Sequence, residues 1–374
     1  MGGLYIHIPF CPSKCRYCDF LSGPAAEADQ AAYIEALLID LRLQIQAFDQ
    51  PLETIFIGGG TPSSLSRANW ARLLEGMADL PGLGAVQEWT VEVNPGDLTA
   101  GLLADWLAAG VNRLSMGVQS FDDATLKILG RRHDRQMALA AYETIRAAGF
   151  SNVNLDLMYG LPGMTLDSWQ ATVKAALALA PSHLSLYGLI VEEGTPIAQD
   201  LAAGRLPDPD EDLARASFLW QREALAAAGY RQYEISNYAQ EGEVCRHNRL
   251  YWSLGDWLGC GLGASGQVGG RFTRLTGDPA LYRSSLAEGR LPLVEDEVWS
   301  REDLMSEQVI LALRQTEGLW IPSFDARYGA HFHLDYAVAI KAACTQGLAV
   351  MDGQYFKPSL EGLLLNNELA ILFL

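Results

Sequence analysis

The sequence predicts an α/β fold: a partial (β/α)6 barrel followed by a small winged-helix-like α+β domain. Three observations predict it. Over roughly the first 190 residues, short β-like runs alternate with Ala- and Leu-rich helical stretches, the pattern of a parallel sheet. Six such runs occur, two short of the eight that close a full barrel. The C-terminal end reads differently, as amphipathic helices followed by a hairpin.

The β-like runs fall at residues 4–8, 54–57, 89–93, 113–118, 153–158 and 183–190. Between them, stretches such as 31–47 and 102–109 carry helical periodicity. A helix is expected over 210–228, a short extended segment over 233–238, and a Gly-rich stretch fills 255–270. Two further helices are expected over 303–315 and 334–345. Residues 348–351 and 354–357 read as strands joined by Asp352-Gly353, a favoured two-residue turn. The expected division is 1–230 for the barrel, 231–295 for a connecting region and 296–374 for the C-terminal domain. No internal repeat stands out beyond the βα alternation.

Composition excludes several classes. Hydrophobic residues make up 49% of the chain, enough for a sizeable core. No run approaches the ~20 apolar residues of a membrane-spanning helix. With 45 acidic against 27 basic residues the net charge is −18, which repels nucleic acid and anionic lipid. The winged-helix-like segment 301–374 itself holds five basic and nine acidic side chains, so a nucleic-acid role is rejected.

The most informative residues are Cys11, Cys15 and Cys18, spaced C-x3-C-x2-C in Tyr5-Ile6-His7-Ile8-Pro9-Phe10-Cys11-Pro12-Ser13-Lys14-Cys15-Arg16-Tyr17-Cys18-Asp19-Phe20. Three close thiolates suit a soft metal centre. A [4Fe–4S] cubane usually takes four cysteines, so three would leave one iron open to a small molecule. Disulfides belong rather to small secreted chains, and a structural zinc site would want a fourth ligand nearby. Unpaired cysteines, an oxygen-sensitive centre and no export signal point to the cytoplasm.

The triad with its preceding Tyr-Ile-His-Ile-Pro-Phe is similar to the radical S-adenosylmethionine (SAM) superfamily. Within it, the chain resembles the branch of oxygen-independent coproporphyrinogen III dehydrogenases and HemW-type heme chaperones. The resemblance implies the partial radical SAM barrel, a [4Fe–4S] cluster and SAM, reductively cleaved to a 5′-deoxyadenosyl radical by an electron from the reduced cluster, which an electron donor must in turn supply. It also implies site residues, at or near strand ends where barrel chemistry sits. Gly59, Gly60 and Thr61 of Gly58-Gly59-Gly60-Thr61-Pro62 match a turn that contacts the methionine part of SAM; read alone, the glycines make only a tight turn. Glu92 closes the third strand in a Glu-Val-Asn-Pro motif, and a buried acid there needs a cationic or hydrogen-bonding partner. Gln119, Arg131 and Asp156 match further SAM contacts; Arg131 and Asp156 could instead form a structural ion pair. Tyr5 and Tyr17 also match, with core packing as the alternative. Whether one or two SAM molecules bind is not readable.

Two features divide the branch. The dehydrogenases carry a further cysteine two residues after the triad, where this chain has Phe20, and a longer segment ahead of it. Both departures match the HemW-type pattern. Cys245-Arg246-His247-Asn248-Arg249-Leu250-Tyr251-Trp252 resembles the H-N-x-x-Y-W motif of the chaperones. His247 is the candidate heme ligand, Cys245 an alternative, and Tyr251 and Trp252 candidate covers for a porphyrin face. A hydrogen-bonded structural histidine beside core aromatics is the other reading. Cys260 and Cys344 read as small buried apolar residues. The expected function is therefore heme binding and transfer to an acceptor protein; the alternative is a porphyrin-directed radical SAM oxidoreductase.

Overall fold

The computed structural model describes residues 2–374. All six expected strands form: β1 (Gly2–Ile8), β2 (Leu52–Gly59), β3 (Glu88–Val93), β4 (Arg113–Gln119), β5 (Asn152–Tyr159) and β6 (His183–Gly188). Each pairs in parallel with the next. Helices on the outside cover the sheet: Trp70 and Trp106, from Arg67–Ala78 and Ala100–Ala109, are buried and meet edge to face at 4.9 Å. Alternation then leaves the inner face for polar side chains. On β3, Trp89, Val91 and Val93 face the core while Glu88, Thr90 and Glu92 face the barrel interior.

Residues beyond the sixth strand extend this sheet at both edges. Strands β7 (Arg231–Gln232) and β8 (Asn237–Ala239) pair antiparallel on the β6 side. Strand β9 (Asp256–Cys260) pairs in parallel with β1, and β10 (Ser265–Val268), β11 (Arg271–Leu275) and β12 (Leu293–Val298) continue antiparallel from it. The sheet thus has twelve strands. The Gly-rich stretch hides β9 and β10 because glycine is poor in strands. Here it is required: a Cβ on Gly259 would lie 2.0 Å from the Ser265 carbonyl oxygen.

The C-terminal part has its own core, built from residues such as Val309, Phe324, Phe332, Phe356 and Phe373. Its helix Arg301–Ala312 starts two residues before the expected position, because Ser300 and Asp303 form a reciprocal capping box. The expected helix over 334–345 is two helices, Phe332–Asp335 and Ala337–Thr345. Strand β13 (Leu319–Trp320) pairs with β15 (Tyr355–Pro358), which pairs with β14 (Ala349–Asp352). The hairpin turn lies one residue later than expected. Asp352 pairs with Tyr355, so Gly353 and Gln354 form the loop, and Gly353 at φ 60° takes the first position, as a type II′ turn requires. Among the described residues no helix is long and apolar enough to cross a membrane.

Candidate functional site

A cavity of about 610 Å³ opens at the carboxyl ends of the barrel strands. The loop after β1 brings Cys11, Cys15 and Cys18 to its wall, all partly exposed and none in a disulfide. Tyr17, Gly59, Gly60, Thr61, Glu92, Gln119, Arg131 and Asp156 line the same space. Residues up to 145 positions apart in sequence, from Cys11 to Asp156, therefore converge as the motif reading expects.

The geometry explains several residue choices. Gly59 has φ +108°, and a Cβ there would lie 2.5 Å from Nδ1 of His7. A Cβ on Gly60 would lie 2.6 Å from the Phe10 carbonyl oxygen. The turn can therefore press against the β1 loop, and Gly60 N–H donates to the Ile8 carbonyl at 2.8 Å. Thr61 N–H donates to the Phe10 carbonyl at 2.7 Å, and its hydroxyl lies 3.2 Å from Cys11 Sγ. Gln119 is a non-glycine residue at φ 67°, beside an irregularity in the β4–β5 register. That strain sits at the cavity wall, where it aims a side chain. His133 supports the bulge, its Nε2 lying 3.0 Å from the Val118 carbonyl oxygen.

Arg131 joins the two halves of the site. Its Nη1 donates to Cys15 Sγ at 3.3 Å, while Nη2 donates to Asn94 Oδ1 and the Gly117 carbonyl. Its Nε is buried and has no hydrogen-bond partner among the described residues. Glu92 Oε2 accepts from Gly59 N–H at 3.1 Å. Burial first, then the neighbouring Asp156, push its carboxyl up to about 7. Burial also raises Asp156, against hydrogen bonds from Asn154, Ser185 and Ser115. Two carboxyls reluctant to ionise, facing a cavity, suit a cationic ligand that would lower both.

Tyr5 is placed differently. It does not line the cavity, and its hydroxyl lies 2.9 Å from His7 Nδ1. Nor do Cys245, His247, Tyr251 and Trp252 reach it; of the H-N-x-x-Y-W motif only Asn248 does. The motif forms the helix Arg246–Trp252, which closes the barrel floor. His247 is fully buried. Its Nδ1 lies 2.8 Å from Thr54 Oγ1, its Nε2 2.7 Å from the Tyr251 hydroxyl, and its ring stacks on Phe56 at 5.4 Å. Burial, with Arg113 nearby, pushes it down to about 3, so the ring is neutral. Both nitrogens are engaged, so in this arrangement neither is open to an iron. Cys245 is buried, its thiol pushed up by burial to about 12. The Arg314 guanidinium covers the Trp252 ring at 4.5 Å.

Residues 5–176 match the family model of the radical SAM superfamily, and residues 299–365 that of the HemN C-terminal domain. The chain is 36% identical to the heme chaperone HemW of Bacillus subtilis strain 168, across 100% of this chain and 99% of that protein. This chain belongs to the HemW family. The HemW of Escherichia coli K12 is 44% identical over 73% of this chain and 72% of that protein. The solved structure of E. coli coproporphyrinogen III oxidase (HemN), described as a radical SAM enzyme, aligns with 100% of this chain and 89% of its own, at a TM-score of 0.88 and 24% identity. That likeness bears out the fold.

The donor set fits what a radical SAM member of the HemW family would hold. Three thiols share one wall, an arginine already donates to one of them, and its orphaned Nε awaits an acceptor. Among the described residues no cluster of ligands converges on a single metal ion. A cubane makes no such demand, because each thiolate takes a different iron. Sequence reasoning missed Asn94, whose amide donates to Thr61 Oγ1 at 3.1 Å while its oxygen accepts from Arg131. The signal was present, since Asn94 is the third residue of the Glu-Val-Asn-Pro motif. It also missed Arg113, a buried residue of the cavity lining whose Nε has no hydrogen-bond partner among the described residues.

Proposed function

We propose that this chain is a heme chaperone that binds heme and passes it to an acceptor protein, using a [4Fe–4S] cluster held by Cys11, Cys15 and Cys18 and a bound SAM. The observation that carries the reading is the convergence of these thiols with the SAM-matching residues on one cavity, in a chain alike over its whole length to a protein named heme chaperone HemW.

The geometry is compatible with the side-chain roles that the resemblance implies. Backbone of Gly59, Gly60 and Thr61 lets the methionine part of SAM approach closely. Glu92 ionises against the ligand's amino group or ribose. Arg131 takes the SAM carboxylate while steadying Cys15. Gln119, Tyr17 and Asp156 complete the pocket, with Tyr5 supporting it through His7. When bound and reduced, the cluster supplies the electron for reductive cleavage of SAM, which calls for an electron-donor protein. The six cysteines without disulfides fit a cytoplasmic setting. Heme ligation by His247 would require it to leave Thr54 and Tyr251, so the motif serves the fold before it serves any ligand.

The test is a heme titration of cluster-loaded protein with and without SAM. A saturable Soret change supports the reading, and none counts against it. The alternative, a coproporphyrinogen-directed oxidoreductase, has the shared fold in its favour. Protoporphyrinogen formation from coproporphyrinogen III by the reduced protein would support that alternative.

A further inference from the structure

Three large apolar side chains stand exposed around the mouth of the cavity. Phe20 is 67% exposed, Tyr187 39% and Ile190 73%. All three line the same space as the cysteines. Phe20 sits two residues past Cys18, and Ile190 sits in the loop after β6. Their positions put an apolar rim above a polar interior. Exposed apolar side chains gathered at a cavity mouth mark a binding surface. The interior residues Glu92, Arg131 and Asp156 suit a small zwitterion; the rim suits a broad apolar one.

Charge narrows the ligand further. Lys14 and Arg132 also line the cavity. Lys14 is exposed and makes no ion pair among the described residues, while Arg132 is held by Asp97 at 2.9 Å. Asp19 and Glu192 share the lining and oppose an anion on their side. The combination fits a planar apolar ring whose acidic groups turn toward Lys14. The barrel floor, by contrast, offers nothing to such a ring, because His247 is enclosed and Arg314 covers Trp252.

Resting on the chaperone reading above, we propose that heme seats at the cavity mouth, its ring against Phe20, Tyr187 and Ile190 and its propionates toward Lys14, and that the His247 helix is not its seat. Phe20 and Ile190 are solvent-facing, so their replacement leaves the core intact.

The experiment titrates heme into the full chain, loaded with cluster and SAM so that the three cysteines are unavailable to the heme iron. Wild type, Phe20→Ser, Ile190→Ser, their double variant and His247→Gln are compared by the Soret band. Iron content and thermal unfolding confirm the fold of each. Each single rim change is expected to weaken binding about tenfold and the double about a hundredfold, the scale of one and two buried apolar side chains. His247→Gln, where folded, is expected to bind as wild type. Removal of the propionate charge supplies a second arm: heme dimethyl ester should bind wild type more weakly than heme, and Lys14→Gln should erase the difference. A double variant that binds heme as wild type does would overturn the seat while leaving the chaperone reading intact. Failure of wild type to bind heme at all would sink both.

Discussion

The Glu88 carboxylate accepts the backbone N–H of His247 at 3.0 Å, and its other oxygen accepts the N–H of Arg246 at 2.9 Å. One buried acid on β3 thus satisfies the first turn of the H-N-x-x-Y-W helix and fixes it beneath the barrel. The Cys245 thiol, 3.5 Å away, adds a third donor to the same group. Glu88→Ala should therefore act on stability before it acts on any ligand. Leaving these donors unpaired in the interior should cost about 2–4 kcal/mol. Denaturant unfolding measures it, and a midpoint unchanged from wild type would contradict the role given to the helix.

Glu92 should make SAM binding depend on pH. Its folded pKa of about 7 lies above the ordinary glutamate value of 4.5. The ligand-free fold therefore favours the protonated acid, and the stability it contributes below 4.5 is lost as pH rises toward 7. A bound ammonium reverses the preference and expels the proton. Affinity for SAM should rise by about fivefold between pH 6 and 7 and about tenfold by pH 8, then level off. Calorimetry in two buffers of different ionisation enthalpy should show proton release near neutrality. Glu92→Gln should bind weakly without that slope; a slope that persists in this variant would assign the proton elsewhere.

Gly59→Ala should be costly for two reasons that add. The backbone is at φ +108°, and the new methyl would press on the His7 ring. Together these should cost about 2–4 kcal/mol. His7 also lies 3.0 Å from the Leu21 carbonyl oxygen, so its displacement should disturb the cysteine loop as well. Thermal unfolding and SAM titration of the same preparation would show both effects. Wild-type values for both would mean that the turn has more room than the structure gives it.

Arg131→Met removes donors to Asn94, Gly117 and Cys15 together. SAM affinity should fall by about ten- to a hundredfold, the scale of a lost charged hydrogen bond of roughly 1.5–3 kcal/mol. Iron content after reconstitution should stay near wild type, because no thiol is removed. Loss of iron with unchanged SAM binding would reverse the two roles.

The sequence revealed the barrel through its period. Six runs alternated with helices, and all six strands formed, their ends moving by a residue or two. The cysteines, Gly59–Thr61 and Glu92 were legible as candidates because motifs follow or close strands, whereas Arg131, beyond a helix, was legible only through the resemblance. What was not legible depended on contacts between distant segments. Gly259 looks like a strand breaker until Ser265 is seen against it. The sequence marks His247 through its motif but gives no sign of Thr54 and Tyr251, which hold its two nitrogens in the fold. Arg113 gave no signal at all, since its meaning lies in being buried in the cavity lining, near the carboxyls of Glu88 and Asp156.

Quantifying iron and acid-labile sulfide after anaerobic reconstitution tests the central claim most directly. Wild type should hold about four of each per chain, while a variant with Cys11, Cys15 and Cys18 all changed to alanine should hold essentially none. Equal iron and sulfide in the two proteins, or none in wild type, would contradict it.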